Sequence, residues 1–191
     1  FKGCIEICKN MDYVFNLVGI KCSPEVCLER PADIMGPMLQ FNTNMLEAAM
    51  LAKVGWYLYT STVGVYEPAE VLYEDNVWKT QPSKNDWYGG WSKRMGEVQA
   101  EAYAIQNGKS NVSIVRPANV YGPNEPLDEK YGNIIGIWRN KLQQGKSLPI
   151  VGDGNQRRDF THVTDIVSGI IAIAESDKNH DDAWELGSGV N

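Results

Sequence analysis

Two stretches decide the fold of this chain, one ending a buried strand and one opening a long helix. Residues 56–66 have the sequence WYLYTSTVGVY, an apolar strand that runs into small hydroxyl side chains. Residues 87–97 have the sequence WYGGWSKRMGE, which predicts the start of a helix extending to about residue 107. A strand-end hydroxyl followed by a tyrosine and a lysine on the next helix suits proton transfer, because an ammonium favours the phenolate form of a nearby phenol.

Strands and helices alternate on both sides of these stretches. Residues 12–20 and 111–116 are short apolar runs, which predict two further strands buried on both faces. Residues 34–53 carry apolar side chains at helical spacing, and Gly55 suits the stop of that helix. This order predicts an α/β fold with a parallel, Rossmann-like sheet and right-handed crossovers.

The last third of the sequence is less regular and predicts shorter elements. We expect a helix, an extended piece, a strand, a second helix and a last strand, at 132–145, 148–151, 158–162, 165–174 and 183–186. Thr164 is the expected N-cap of the second of these helices.

Polar and small residues follow three of the predicted strands. They are Val18-Gly19, Ser61-Thr62 and Pro117-Ala118-Asn119. In an open parallel sheet the carboxyl ends of the strands face one ligand crevice. Hydroxyls, an amide and small side chains at that edge suit a flat aromatic cofactor and a polyhydroxylated substrate.

Composition limits the classes of function and site. The chain has 191 residues, 43% of them hydrophobic and 22% charged, which is typical of a globular domain. A formal net charge of −6 disfavours nucleic acid or an anionic membrane as the main partner. Four cysteines follow no common metal or redox spacing, so we expect no metal site and unpaired thiols in a reducing cytoplasm; they are Cys4, Cys8, Cys22 and Cys27.

Four motifs of the chain, in their order and spacing, resemble those of a known family. They are FNLVGIK at 15–21, YTSTVGVY at 59–66, RPANVYGP at 116–123 and GDGNQRRDF at 152–160. The resemblance is to the extended short-chain dehydrogenase/reductase family, in its nucleotide-sugar epimerase and dehydratase branch. It covers about residues 12–189, as the middle of a longer family domain.

The resemblance implies a cofactor, a substrate and a set of site residues. Contacts to NAD or NADP are expected at Leu17, Val18, Gly19, Lys21, Thr60, Ser61 and Pro117. Contacts to the phosphates of a nucleotide sugar are expected at Asn119 and Arg158. The catalytic residues are expected to be Thr62, Tyr88 and Lys93. A homodimer is expected for the intact protein.

For three of the polar residues, a structural rather than a functional role is also considered. Lys21 could be a solvated loop charge. Arg158 could form a structural ion pair with Asp159 or Asp153. His162 is expected to be a hydrogen-bonded structural residue.

The domain organisation follows from the same resemblance. We expect residues 1–120 to be a partial NAD(P)-binding domain. Residues 121–191 are expected to be a partial substrate-binding region that returns a strand and a helix to the core. The Gly-rich strand-to-helix turn that binds a pyrophosphate is missing from the sequence. We therefore expect both ends to be cut and the 191 residues to be inactive alone.

Tyr88 departs from the family pattern, in which the tyrosine lies four residues before the lysine. Here Tyr88 lies five residues before Lys93, and Gly89 holds the expected position. Gly89-Gly90 could absorb the extra residue as a widened or π-like first turn. Alternatively, Tyr88 packs in the substrate loop and proton transfer is impaired or done differently.

The residues after Thr62 bear on the type of reaction. Dehydratases and decarboxylases of this branch carry an acid within the two following positions, which are Val63 and Gly64 here. The missing acid therefore favours 4-epimerisation or reduction of a 4-keto sugar. Of the two we expect 4-epimerisation through a keto sugar. A further alternative is a non-catalytic protein that binds a nucleotide sugar or dinucleotide.

Overall fold

A computed structural model describes residues 1–21, 23–107, 112–150, 152–176 and 183–189. In chain order its helices and strands are α1 (Lys2–Cys8), β1 (Tyr13–Asn16), α2 (Pro24–Glu29), α3 (Pro31–Leu51), β2 (Trp56–Thr60), α4 (Trp87–Asn107), β3 (Val112–Pro117), β4 (Asn119–Tyr121), α5 (Ile134–Gln143), β5 (Phe160–His162), α6 (Val163–Ala174) and β6 (Trp184–Leu186). Three single 3-10 turns, Val63–Val65, Glu74–Asn76 and Lys84–Asp86, lie between β2 and α4.

The main sheet has four strands in the order β1-β2-β3-β6, and all of its pairs are parallel. Strands β4 and β5 form a second, two-stranded parallel sheet. Helices join the neighbouring strands of the main sheet, as a parallel arrangement requires. The predicted α/β fold with a Rossmann-like parallel sheet is therefore confirmed.

Strand β2 is buried on both faces of the sheet. Tyr57 and Tyr59 point into a core that they share with α1, α3 and α4. Trp56 and Leu58 point to the other face, where α6 packs against them. Because successive side chains alternate between faces, a strand covered on both sides needs the continuous apolar run seen in the sequence.

Strand β1 forms one edge of the four-stranded sheet and is only partly covered, so the prediction that it is buried on both faces is wrong. Tyr13 and Phe15 are 53% and 43% exposed, and both rings contact Trp56.

None of the helices in the described ranges is long and apolar enough to cross a membrane.

The first strand is shorter than the predicted run of residues 12–20, because the side chain of Asn16 turns the backbone. Its Oδ1 accepts from the Val18 amide at 3.3 Å, and the Leu17 amide donates to the Phe15 carbonyl at 3.1 Å. The strand therefore ends at Asn16 and a tight turn follows.

The last helix starts two residues before the predicted range, and its N-cap is His162 rather than Thr164. Nδ1 of His162 accepts from the Thr164 amide at 3.3 Å, which satisfies one free donor of the first turn. The structural role expected for His162 is thereby confirmed.

Residues 148–150, which were predicted to be extended, form no strand. Val151, the end of that predicted piece, and Asn111, the first residue of the predicted strand 111–116, lie outside the described residues.

The division of the chain at residue 120 stays a prediction. Strands β4 and β5 lie in the expected substrate-binding part, while α6 and β6 pack on the main sheet.

Two of the cysteines, Cys4 and Cys8, are free thiols, and Cys22 lies outside the described residues. Within those residues no group of three or more metal-ligating side chains comes together.

Candidate active site

The ends of strands β1, β2 and β3 meet at one edge of the sheet. Asn16 pairs with Tyr59, and Thr60 pairs with Val115, so the turns that follow these strands are neighbours. A Cβ added at Gly19, in the turn after β1, would lie 3.8 Å from the ammonium of Lys93. The predicted crevice is therefore formed by these turns together with the first turns of α4.

Lys93 is fixed at the carboxyl end of β2. Its ammonium donates to the backbone carbonyl of Thr60 at 2.6 Å and lies 5.4 Å from the centre of the Tyr59 ring. Burial lowers its pKa to about 8, although the negative charges of Glu97 and Asp86 oppose that shift. The structure thus places a partly desolvated cation beside the strand end that carries Thr62.

Thr62 caps the 3-10 turn Val63–Val65. Its Oγ1 accepts from the Gly64 amide at 3.1 Å, which holds the side chain at the crevice. This bond uses a lone pair of the hydroxyl oxygen, so the hydroxyl can still donate its own proton.

The first turn of α4 is regular, so the widened or π-like turn, one of the two alternatives for Gly89-Gly90, is not formed. Every residue from Trp87 to Asn107 is α-helical, and the Ser92 hydroxyl donates to the Tyr88 carbonyl at 2.7 Å. Five residues of regular helix set Tyr88 about 140° around the axis from Lys93, whereas residue 89 is only about 40° away. Tyr88 is 38% exposed. The helix therefore presents Gly89 on the face of the lysine.

Asp86, which the sequence reasoning missed, reaches into the space left by Gly89. A Cβ at position 89 would collide with its Oδ1, and a Cβ at Gly64 would lie 2.8 Å from its Oδ2. Burial raises the pKa of this carboxyl to about 6, while the positive charge of Lys93 opposes the rise. Asp86 could have been identified from the sequence, because it lies about one helical turn before Gly89, the glycine that stands in the position of the family tyrosine.

A buried ionic network lies beneath the crevice. Arg116 binds both oxygens of Glu97, at 3.0 and 2.8 Å, and Glu185 at 3.0 Å. The Tyr66 hydroxyl donates to Glu185, and the Ser61 hydroxyl donates to Glu97. Arg116 and Glu97 are 5% and 2% exposed, so these bonds tie β2, β3, β6 and α4 together inside the core.

This network changes the interpretation of Ser61, which was expected to lie beside the cofactor. The side chain is 3% exposed and its hydroxyl proton is committed to Glu97. A cofactor contact at Ser61 would therefore come from its backbone.

A second polar chain holds the turn after β1. The Asn16 amide donates to the Tyr57 hydroxyl at 2.7 Å and to Asn42 at 3.3 Å, and Asn42 donates to Gln99 at 2.9 Å. Because Asn16 also binds the Val18 amide, strands β1 and β2 and helices α3 and α4 together fix the turn that carries Gly19.

Arg94 holds the loop between β2 and α4. Its guanidinium donates to the Val65 carbonyl at 2.9 and 2.6 Å and to the Thr80 carbonyl at 2.6 Å. The side chain is 2% exposed and lies 5.2 Å from the Trp91 ring. The loop that delivers Asp86 to the crevice is therefore anchored on α4.

The predicted substrate residues lie in different settings. The Asn119 side chain donates to the Asp159 carbonyl at 3.3 Å. Arg158 is exposed, and its guanidinium donates to the Arg157 carbonyl at 2.6 Å. Within the described part of the chain Arg158 forms no ion pair with Asp159 or Asp153. Asp159 instead accepts hydrogen bonds from the Thr161 hydroxyl and from the backbone amides of Ser188 and Gly189.

Lys21 forms an ion pair rather than standing as a solvated loop charge. Its ammonium lies 2.6 Å from Glu125, whose carboxylate also accepts from the Asn133 amide at 2.9 Å. The ion pair joins the turn after β1 to the segment that precedes α5. A role for Lys21 at the cofactor stays a prediction.

The edge of the sheet fits a nicotinamide dinucleotide. Gly19 has no side chain beside the ammonium of Lys93, so backbone and cation can approach a ligand together. The buried hydroxyl oxygen of Thr60 has no hydrogen-bond partner among the described residues. A buried polar atom without a partner is unusual in a folded protein and suits a ligand contact.

The family model described as the NAD dependent epimerase/dehydratase family matches residues 3–187. The chain belongs to this family. The resemblance inferred from the four motifs is therefore confirmed, and the cofactor of the family is NAD.

Relatives within the epimerase/dehydratase family catalyse several reactions. A dTDP-4-dehydro-6-deoxy-D-allose reductase of Streptomyces bikiniensis is 30% identical over 171 residues, which are 88% of this chain and 52% of the reductase. A UDP-N-acetyl-alpha-D-glucosaminuronate decarboxylase of Bacillus cytotoxicus is 30% identical over 176 residues, 91% of this chain and 53% of the decarboxylase. The chain spans about half the length of these relatives.

A solved structure supports the same family assignment. The UDP-glucuronic acid 4-epimerase of Bacillus cereus, in complex with UDP-glucuronic acid and NAD, superposes with a TM-score of 0.78. It is 25% identical, and the match covers 96% of this chain and 56% of the epimerase chain.

Proposed function

We propose that the whole protein is an NAD(P)-dependent nucleotide-sugar 4-epimerase. The observation that carries the proposal is the bond between the Lys93 ammonium and the Thr60 carbonyl, which sets a cation beside the Thr62 hydroxyl at the strand ends. Val63 and Gly64 carry no acid, which favours hydride transfer at the sugar over elimination of a leaving group. Names of relatives in the family supply the substrate class, a sugar linked to a nucleoside diphosphate.

The residues of the crevice support this reaction as follows. NAD, when bound, supplies the acceptor and donor for the hydride of the sugar carbon. Thr62 would donate its free hydroxyl proton to the sugar oxygen and so hold that oxygen in place. Lys93 would hold the ribose of the cofactor and favour negative charge on the reacting oxygen. Reversal of the transfer on the other face of the keto sugar inverts the carbon.

Binding of the sugar nucleotide is proposed at Asn119 and Arg158. A guanidinium matches the oxygens of a diphosphate, and Arg158 is exposed and free of a carboxylate partner within the described residues. A cytoplasmic location, expected from the cysteine pattern, and a homodimer, expected for the intact protein, remain predictions.

Reduction of a 4-keto sugar is the second candidate, because the Streptomyces reductase is 30% identical over most of the chain. Cofactor stoichiometry separates the two in the full-length protein. An epimerase converts UDP-glucose, UDP-glucuronic acid or a dTDP-hexose without net change in NAD, whereas a reductase consumes one reduced cofactor per keto sugar. Binding of these compounds without conversion of any would refute both activities and favour the binding protein.

A further inference from the structure

The carboxylate of Asp86 lies at the reacting edge of the crevice. Its Oδ2 lies 2.8 Å from the point where a Cβ of Gly64 would be, and Oγ1 of Thr62 lies 3.5 Å from that same point. Its Oδ1 fills the place where a side chain at position 89 would emerge from α4. Asp86 and Thr62 therefore border one small space beside Lys93.

Among the described residues, the carboxylate of Asp86 accepts no hydrogen bond. The side chain is half-buried, and within the described ranges no donor binds its oxygens. The charged group that shifts its pKa is Lys93 of α4. Of the other elements packed nearby, the turn Val63–Val65 carries no titratable side chain, and α2 carries Glu25, Cys27 and Glu29. A desolvated carboxylate without a hydrogen-bond partner is ready to accept a proton from a ligand.

Tyr88, the other proton carrier expected in this region, is set on a different face of α4. The absence of a side chain at Gly89 leaves the face towards Lys93 open, and Asp86 occupies it. A residue at position 89 larger than glycine would have to displace the carboxylate.

We propose that Asp86 is the acid/base residue of the reaction, which takes the proton of the sugar hydroxyl and later returns it. The inference rests on the proposed function. As the O–H bond breaks, its proton would form a carboxylic acid on Asp86. NAD, when bound, would accept the hydride of the C–H bond, which leaves a carbonyl at that carbon. In the return step the carbonyl carbon would regain the hydride and Asp86 would give its proton to the oxygen.

The first test measures Asp86 without any substrate. In the full-length protein labelled with ¹³C at the aspartate carboxyl carbons, the Asp86 signal is identified by its loss in Asp86→Asn. We expect this carboxyl to titrate near pH 6, and to titrate at higher pH in Lys93→Met, which removes the neighbouring positive charge. Titration near pH 4 that does not respond to Lys93→Met would overturn the proposal, whatever the protein catalyses.

The second test measures turnover of the nucleotide sugar that the wild type converts with NAD. Asp86→Asn should slow turnover by about 10²- to 10⁴-fold, the usual effect of a positioned acid/base group. Tyr88→Phe should cost much less, and Asp75→Asn, which changes an exposed carboxylate on a nearby turn, serves as the matched control. The kcat/KM of the wild type should decrease as the pH drops below about 6. Asp86→Asn should not show this decrease at acidic pH.

Two results of the turnover test would contradict the assignment. One is a large loss in Tyr88→Phe with near-normal turnover in Asp86→Asn. The other is release of a dehydrated sugar by the wild type, because Asp86 would then serve elimination. A wild type that converts no nucleotide sugar would refute the proposed function, and the titration of Asp86 would still decide whether its carboxyl is poised as described.

Discussion

The ammonium of Lys93 donates to the backbone carbonyl of Thr60 at 2.6 Å, which joins helix α4 to the carboxyl end of β2. This bond fixes the cation at the point where the strand passes into the Thr62 turn. Two further features keep it there, namely the Tyr59 ring at 5.4 Å and the negative charges of Glu97 and Asp86. The position of the lysine is thus set by both elements that form the crevice.

Lys93→Met in the full-length protein should lower turnover about 10²-fold or more, because it removes the cation that stabilises charge on the reacting oxygen. The Lys93 pKa of about 8, lowered by burial, means that the ammonium is present below pH 8 and lost above it. Wild-type turnover should therefore fall as the pH rises through about 8, and the variant should lack this limb. Lys84→Met, at an exposed lysine of the preceding loop, is the control. If the Lys93→Met variant still lost turnover above about pH 8, a group other than Lys93 would cause that loss.

Asp86→Asn should change the dependence of stability on pH. The folded pKa of about 6 lies above the ordinary value of 3.8, so the folded state binds more protons than the unfolded state between these pH values. The wild type therefore loses stability relative to the variant as the pH rises from 4 to 7. After allowance for partial exposure, the relative change should be about 1–2 kcal/mol. Urea unfolding at pH 4 and pH 7 measures it, and a constant difference between the proteins would show that Asp86 is not perturbed.

Glu97→Gln should destabilise the protein by about 3 kcal/mol or more, because it leaves the buried Arg116 guanidinium without its main counter-charge. Glu101→Gln changes an exposed carboxylate on the same helix and should stay within about 0.5 kcal/mol of the wild type. The midpoint of urea unfolding at pH 7 compares the two variants. Equal effects would mean that the buried network contributes little to the fold.

Arg158→Ala should weaken nucleotide-sugar binding by about 1.5–3 kcal/mol, the range of a hydrogen bond to a charged group. Affinity for NAD should stay unchanged, because the exposed Arg158 contacts no residue of the crevice within the described part of the chain. Arg157→Ala, at the adjacent exposed arginine, provides the control, and calorimetry of both ligands gives the affinities. An equal loss of both affinities would make Arg158 a structural residue.

The parallel sheet and its long helices follow closely from the sequence. Strand β2 and helix α4 lie where the apolar run and the helical pattern predicted them, since burial on both faces demands continuous hydrophobicity. Strand β1 is shorter than its apolar run because Asn16 turns the chain, an effect of one side-chain hydrogen bond that periodicity does not detect.

The candidate active site could be predicted only in part, because one of its side chains depends on how a loop folds. Motif spacing predicted that Thr62 and Lys93 meet at one crevice, and both lie by the carboxyl end of β2, while their catalytic roles stay predictions. Asp86 depends on how the loop before α4 folds back onto Gly64 and Gly89, and Arg94 holds that loop through backbone carbonyls. Contacts of this kind join residues through backbone groups, which leave no pattern of residue types.

Reversible hydride transfer at the sugar C4 is tested most directly by the fate of the hydrogen on that carbon. The full-length protein would be incubated with NAD and a C4-deuterated substrate, chosen from UDP-glucose, UDP-glucuronic acid and dTDP-hexoses, and the product examined by NMR. We predict a sugar inverted at C4 that keeps its deuterium at C4, with no net formation of NADH. Loss of the deuterium to water, or a product with unchanged configuration at C4, would contradict the proposed epimerase.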